Sequence, residues 1–276
     1  MALTDADVKK LEGKAKDIRA TIIRMLVEAK SGHTAGPLGM ADIFAALYFH
    51  ALSHRPGEPE WEERDRVVLS NGHIVPVRYA TMAHAGYFPV EECLTLRKFK
   101  SRLQGHPERT KLPGMETTSG PLGSGTSQAA GMAYGLKMDG KKQRVYCLVS
   151  DGEQQEGNTW EGVMFAGKYR LDNLTAIMDR NNIQIEGRTE DVMPLEPLAD
   201  KYRAFNWNVI DIDGHNMEAV VGAIDEAKAT HDRPTLILAN VIPGKGVKEI
   251  ENDYKWHGKP PTKEEGERFL KEILSV

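Results

Sequence analysis

Apolar residues recur at spacings of three and four along the start of the chain. Val8, Leu11, Ala15, Ile18, Ile22, Met25 and Ala29 share one helical face, which predicts an amphipathic helix over residues 5–30. Thr4 stands just ahead of it, where a hydroxyl can accept from the first free amides, and reads as the N-cap. Ser31 to Gly39 holds three glycines and a proline and reads as a loop; Met40 to Ala51 returns to helix. Arg66 to Ser70 is a short β-like run that ends at Asn71-Gly72-His73. Residues 103–127 are rich in Gly, Pro, Ser and Thr, and a loop this long inside a compact domain usually carries function. Gln128 to Met138 is helical in pattern.

Two clear strands follow, Arg144 to Val149 and Leu174 to Met178, with a helical stretch over 158–169 between them. Strand, helix, strand is a βαβ unit, so these strands should lie parallel. Asn208 to Ile212 and Thr235 to Ala239 read as further strands around a helix from Met217 to Ala229. The alternation predicts an α/β fold with an open, mostly parallel sheet and helices on both faces. No repeat or boundary interrupts it. Residues 1–276 therefore read as one domain, with a polar tail from about residue 258 that holds one short helix.

Composition narrows the classes. The 276 residues are 40% hydrophobic and 28% charged, ordinary for a globular protein with a sizeable core. A net charge of −4 gives no reason to expect nucleic acid or an anionic membrane, so any phosphate must be held by a local device. No run approaches a membrane span, and Met1 to Lys16 lacks an apolar signal core. Cys93 and Cys147 fit neither a metal knuckle nor a disulfide framework, and Cys147 lies in an apolar run, as a buried thiol would. A cytoplasmic location is the expectation.

The sharpest chemistry is Ser150-Asp151-Gly152-Glu153, followed thirty residues on by Asn181-Asn182-Ile183. Asp151 falls just past one strand and Asn181 just past the next, so both should face one crevice at the carboxyl ends of a parallel pair. A carboxylate, an amide oxygen and a nearby backbone carbonyl form a hard oxygen set that suits Mg²⁺ or Ca²⁺. Gly152 lets the backbone come close to a phosphate, and the helix that follows can offer free N–H groups. Read singly, Asp-Gly and Asn-Asn are ordinary turns.

The joint pattern resembles the thiamine diphosphate signature, whose usual opening is Gly-Asp-Gly; Ser150 stands in the first place here. Five further segments resemble motifs of the transketolase family in their order. They are Ser31-Gly-His-Thr-Ala-Gly-Pro-Leu-Gly39, Asp65-Arg-Val-Val-Leu-Ser-Asn-Gly-His73, Gly105-His106-Pro107-Glu108, Thr118-Ser-Gly-Pro-Leu-Gly-Ser-Gly125 and Trp256-His257-Gly258-Lys259-Pro260. In the first, Thr34 and Ala35 replace the family's usual His-Pro-Gly continuation. The resemblance implies a thiamine diphosphate-binding fold of the diphosphate-binding type. It further implies that Asp151, Asn181 and the carbonyl of Ile183 hold the metal, and that Gly152, Asn181, His73 and His257 contact the diphosphate. Gly120, Pro121 and Leu122 would lie along the aminopyrimidine, with Ile185 near the thiazolium. His33, His106 and His257 would face the sugar, where imidazole can donate or accept protons near neutral pH. Glu156 would join a carboxylate network at a subunit interface, while Lys245, between two glycines, meets either phosphate or solvent.

The same resemblance implies a partner. Single-chain transketolases also carry a pyrimidine-binding domain, with the glutamate for the ring N1′ and the arginines for the sugar phosphate. The nineteen residues after His257 cannot encode these parts. The chain is then a subunit of a split enzyme or an excised fragment; a split enzyme is the expectation, with a separate carboxyl-terminal subunit, two copies of each chain, and sugar or sugar-phosphate substrates. Two other readings stand beside it: a subunit of a 2-oxoacid dehydrogenase or deoxyxylulose phosphate synthase type of enzyme, and a non-catalytic cofactor-binding subunit. A nicotinamide-binding fingerprint fails, because Gln128 stands where Gly123-Ser-Gly125 would need its third glycine.

Overall fold

The computed structural model describes residues 3–275. Helix α1, Asp5–Ala29, opens with a reciprocal capping box: the Thr4 hydroxyl accepts from the Asp7 amide while the Asp7 carboxylate accepts from the Thr4 amide. Its stripe of Ile18, Ile22, Met25 and Leu26 is fully buried. Each such side chain contributes about 1.5–3 kcal/mol over its exposed state. The segment after it is not wholly loop: α2, Ala35–Gly39, is one helical turn. The expected helix over 40–51 is broken into α3, Ala41–Ala46, and a π-helical turn over Leu47–Ala51.

Strand β1, Arg66–Leu69, leads through a 3₁₀ turn, Gly72–Ile74, into α4, Val75–His84, a buried helix that the apolar run after His73 left unassigned. Helix α5, Ser124–Met138, starts four residues earlier than its periodicity indicated, because Ser, Gly and Thr carry no apolar signal. Then come β2, Val145–Ser150; α6, Gly157–Lys168; and β3, Leu174–Arg180. A small antiparallel pair, β4, Ile183–Gln184, and β5, Gly187–Arg188, precedes two short helices, α7, Thr189–Val192, and α8, Leu198–Ala204. The chain finishes with β6, Asn208–Asp213; α9, Met217–Ala229; β7, Thr235–Asn240; and α10, Lys263–Ser275.

The five-stranded sheet has the order β1-β2-β3-β7-β6 and every neighbouring pair is parallel. Both faces are covered. Tyr146, Leu148, Ile177 and Ile237 meet α1, α3, α4 and α9 on one side. Cys147, Val149, Ala176, Met178 and Leu236 meet α5, α6 and α8 on the other. The arrangement follows from handedness. The crossover β2-α6-β3 moves one way along the sheet and β6-α9-β7 moves back, so right-handed connections put α6 and α9 on opposite faces. The order therefore reverses between β3 and β7, and loops leaving those two strands diverge there. Ligand sites of doubly wound sheets occupy such a crevice.

The tail is more than polar surface. Helix α10 packs on α1, with Phe269 and Ile273 buried and the Phe269 ring 5.4 Å from that of Trp256. Val276 lies outside the described residues. Both cysteines are buried and free, and burial pushes the Cys93 thiol up to about 12 and Cys147 well above its ordinary value. Among the described residues no helix is long and apolar enough to cross a membrane.

Candidate functional site

Four loops from distant parts of the chain meet over the carboxyl ends of the strands. The first carries His33 and continues into α2. It is wedged into the crevice beside β3 and β7: the Gly244 amide donates to the Ala35 carbonyl at 2.8 Å, and Gly36 approaches the Asp179 carboxylate. A buried network props it from behind. Arg19 grips Asp42 with both amino groups, at 2.5 and 3.2 Å, and donates to the Leu38 carbonyl at 3.0 Å. His215 accepts from the Ile242 amide through Nε2 at 2.8 Å, so its Nδ1 carries the proton and donates to Asp42 at 2.7 Å.

The other loops are stitched to the first or to one another. Thr34 donates to the Lys259 carbonyl at 2.6 Å and ties the His33 loop to the His257 loop. Arg97 reaches Ser31 Oγ and the Gly105 carbonyl, both at 3.2 Å, and bridges the His33 and His106 loops. The Ser119 amide donates to the Pro107 carbonyl at 3.2 Å, which brings the Gly120 to Leu122 segment in beside His106. His73 sits on the 3₁₀ turn that begins α4, and His257 follows another, Tyr254–Trp256, which the Asp253 carboxylate caps.

The result is a cluster of imidazoles. Ring centroids are 4.9 Å apart for His33 and His73, 5.4 Å for His33 and His257, 5.0 Å for His73 and His257, and 6.4 Å for His33 and His106. All four open onto a cleft of about 430 Å³ that is also lined by Gly120, Leu122, Gly152, Glu156, Asn181, Ile183 and Ile185. Pro121 points outward and is exposed. Ile185, in the turn between β4 and β5, is 69% exposed, a large apolar side chain left in solvent at the cleft mouth.

Burial sets the charge state of the cluster. It lowers the affinity of every imidazole for a proton; at His33 repulsion from His257 and His106 as they take up protons, and from Arg97, adds to this, and the pKa falls to about 4. His73 is held well below its ordinary value by burial and then by His257, His33 and His106; His106 is lowered by burial and Arg97, and His257 by burial. All four are neutral at pH 7. Because the unfolded chain binds protons that the folded chain does not, stability is full above about pH 6.5 and falls as the pH drops toward 4. For His33 alone the shift corresponds to about 3 kcal/mol. The urea midpoint is expected to fall between pH 7 and 5, and to fall less steeply in His33→Gln. Parallel titrations of the two proteins check it.

Register places Ser150 beside Asp179, so Asp151 and Asn181 leave adjacent strands at the same end of the sheet, one residue out of step. Asp151 is 0% exposed. Its Oδ1 accepts from the Gly152 amide at 2.7 Å and its Oδ2 from the Asn182 amide at 2.6 Å and from Arg180 at 3.2 Å. Burial pushes its carboxyl up to about 6 against the opposing pull of Arg180, so it is ionised at neutral pH. Asn181 donates to Asp179 at 2.8 Å and its Oδ1 accepts from the Ile183 amide at 3.0 Å, which turns the Ile183 carbonyl toward Gly152. A Cβ on Gly152 would stand 3.3 Å from that of Gln184, tighter than most packing, so a larger residue there would have to push Gln184 aside.

Two features differ from the sequence reading. Asp151 is at a strand end yet is completely buried, and it anchors Arg180, which also pairs with Glu190 and Glu196. An alanine at 151 would leave that guanidinium with one partner fewer and cost about 3 kcal/mol of stability, the low end for breaking a buried pair. The stretch after Asp151 is a 3₁₀ turn, Gly152–Gln155, and α6 begins only at Gly157, so the nearest free amides belong to the turn. Glu156 is exposed at the rim. Lys245 is half-buried in the turn after β7, and no ion pair reaches it among the described residues. Sequence reasoning misses Arg180, Asp179 and Glu153; a charged residue within two positions of a proposed ligand is the available signal.

A doubly wound sheet with polar loops gathered at its strand-order reversal defines a cofactor-binding α/β protein. The model of the family described as "Transketolase, thiamine diphosphate binding domain" matches residues 12–275, and the chain belongs to that family. It is 42% identical over 254 residues to the 6-deoxy-6-sulfo-D-fructose transketolase subunit SqwG of Clostridium sp. (strain MSTE9), covering 92% of each chain. It is 39% identical to an apulose-4-phosphate transketolase subunit of Phocaeicola vulgatus, covering 96% of this chain and 94% of that one. The transketolase of Rattus norvegicus is 40% identical over 96% of this chain, which spans 42% of the rat protein. Among solved structures, transketolase from Leishmania mexicana superposes with a TM-score of 0.89 at 31% identity, over 99% of this chain and 42% of that one. The chain thus spans less than half the length of these last two relatives and nearly all of the two named as subunits.

Proposed function

We propose that this chain is the diphosphate-anchoring subunit of a transketolase, which moves a two-carbon ketol unit from a ketose or ketose phosphate to an aldose or aldose phosphate. The observation that supports it best is a cleft that gathers four neutral imidazoles with Gly152, Asn181 and Ile183, beneath which the Asp151 carboxylate is buried. A 2-oxoacid dehydrogenase type of subunit is disfavoured because it would not need His33 and His257 there.

In this reading Asp151, Asn181 and the Ile183 carbonyl hold Mg²⁺ or Ca²⁺. The donor set fits a hard cation: Asp151 Oδ1 and Asn181 Oδ1 each accept a single amide hydrogen bond and keep a lone pair. Gly152, Asn181, His73 and His257 hold the cofactor's diphosphate, Gly120, Pro121 and Leu122 lie along its aminopyrimidine, and Ile185 lies beside the thiazolium. Thiamine diphosphate, when bound, supplies the carbon nucleophile that takes up the ketol unit. The residues of this chain orient the sugar and move its protons. His33, His106 and His257 face the sugar oxygens, and a neutral ring can take a hydroxyl proton at one nitrogen. His33 Nδ1 is buried with no hydrogen-bond partner among the described residues, as expected of a group that awaits a polar ligand. Glu156 takes part in a carboxylate network between subunits, and residues 1–276 act as one domain of a cytoplasmic assembly.

The metal assignment has a direct test. Asp151→Asn keeps the side-chain shape and an oxygen for Asn182 but removes the charge. Since even the groups that orient metal ligands are worth 10–100-fold in affinity, Mg²⁺-dependent binding of thiamine diphosphate is expected to weaken by at least about 100-fold. Calorimetry on wild type and variant, with thermal melts to show both folded, measures it. Equal affinities would exclude Asp151 as a ligand.

A further inference from the structure

We propose that Glu153 is a positioning residue whose buried carboxylate clamps the 120–125 loop to the 150–152 loop, and so sets the distance between the aminopyrimidine and diphosphate halves of the site. The inference rests on the thiamine diphosphate reading above, which gives those two loops their roles.

Glu153 is 0% exposed. Its Oε1 accepts from the Gly123 amide at 2.6 Å and from the Ser70 hydroxyl, and its Oε2 accepts from the Ser150 amide at 3.1 Å. Ser70 Oγ in turn accepts from the Gly125 amide at 3.0 Å. One carboxylate thus joins the end of β1, the start of α5 and the end of β2. No lysine or arginine pairs with it among the described residues, so the buried carboxyl is held only by amides and one hydroxyl. A buried carboxyl is costly unless it is fully hydrogen-bonded, and rules broken in this way tend to mark functional positions.

The clamp also acts as a cap from a distance. Gly123 precedes α5 and supplies no side-chain bond to its free amides. Glu153 and Ser70 take the amides of Gly123 and Gly125 instead, and the carboxylate meets the positive end of the helix dipole. Gly123 has φ +86°, and a Cβ on Gly125 would sit 2.3 Å from Ser70 Cβ, so neither position accepts a side chain while the clamp is closed. The segment held this way continues backward into Leu122, Pro121 and Gly120, and Gly120 lies against His106. Releasing Gly123 therefore frees the surface assigned to the aminopyrimidine while the diphosphate loop keeps its anchor through Asp151.

Two variants of the full chain test this, Glu153→Gln and Ser70→Ala; the second leaves the carboxylate in place should the first fold poorly. Without any ligand, amide hydrogen exchange over residues 120–126 is expected to quicken about tenfold or more in both, with 145–149 as protected as in wild type. Calorimetry with Mg²⁺ then compares inorganic pyrophosphate with thiamine diphosphate, carried to saturation of the wild type. Thiamine diphosphate is expected to bind about tenfold or more weakly and pyrophosphate within about twofold of wild type, the size of loss typical for a supporting group. Unchanged exchange in both variants overturns the clamp. Faster exchange with unchanged thiamine diphosphate affinity overturns its bearing on the cofactor, as does an equal loss for both ligands. A wild-type chain that binds neither ligand, alone or mixed with a pyrimidine-domain chain, refutes the cofactor reading itself, and the spacing role with it, whereas the exchange measurement still reports on the clamp.

Discussion

Assayed alone, this chain is expected to show no ketol transfer, and to acquire it when mixed with a chain that carries a pyrimidine-binding domain. The cofactor has two ends. The reading above assigns only the diphosphate end and one side of the aminopyrimidine to this chain. The cleft is open at the side where the ring would protrude: Ile185 is 69% exposed there and Pro121 is exposed beside it. A ring held on one side only would be wetted and loosely oriented, and in this reading the glutamate for its N1′ comes from the partner. Orientation of reacting groups is worth several powers of ten in rate, so activity of the single chain is expected at least about 10³-fold below the mixture. Two relatives of matching length are named as transketolase subunits, in line with this division. The expected assembly holds two copies of each chain, since oligomers favour closed two-fold symmetry. A coupled assay with a ketose donor and an aldose acceptor, run with and without the partner, decides the matter, and sizing of the mixture reads the stoichiometry. Robust turnover by this chain alone would refute the divided site.

His33→Ala and His257→Ala are expected to cut kcat by about 10² to 10⁴ each while changing cofactor affinity far less. Both rings are neutral at pH 7 because burial depresses their proton affinity. A neutral imidazole can accept a proton from a sugar hydroxyl and return it, whereas an imidazolium could only donate. The rings sit 5.4 Å apart, so one sugar could meet both. His73 is the contrast: it is more deeply buried, beside His33 and His257, and His73→Ala is expected to weaken the cofactor more than it slows turnover. Steady-state rates at saturating cofactor, together with calorimetric affinities, separate the two effects. If kcat in the first two variants stays within about threefold of wild type, their part in proton transfer is wrong.

Much of the architecture was legible from periodicity. The amphipathic stripe of α1, the βαβ unit around α6 and the helix at Met217–Ala229 all appear where the pattern placed them, because burial on one face or both forces that pattern. The misses share a cause. Helix α4 follows a histidine turn and is buried nearly all round, so it shows no polar face. Helix α5 begins in small polar residues whose helical state depends on Glu153 and Ser70 taking their amides from elsewhere in the chain. Helix α2 is held by the Arg19, Asp42 and His215 network and by the loop after β7, none of which is local.

The sequence by itself determined the class of fold and the family, and it offered candidate residues for a metal and for proton transfer, since all of these lie in local composition, spacing and motif. Only the tertiary structure decided that His33, His73, His106 and His257, spread over more than two hundred residues, would meet within one cleft. It alone decided that Asp151 would be buried against Arg180, and that an unremarked glutamate would tie three segments together. The reason is the reversal of strand order between β3 and β7. Handedness of the crossovers sends flanking loops apart and opens a crevice, and long-range packing then chooses which loops fill it.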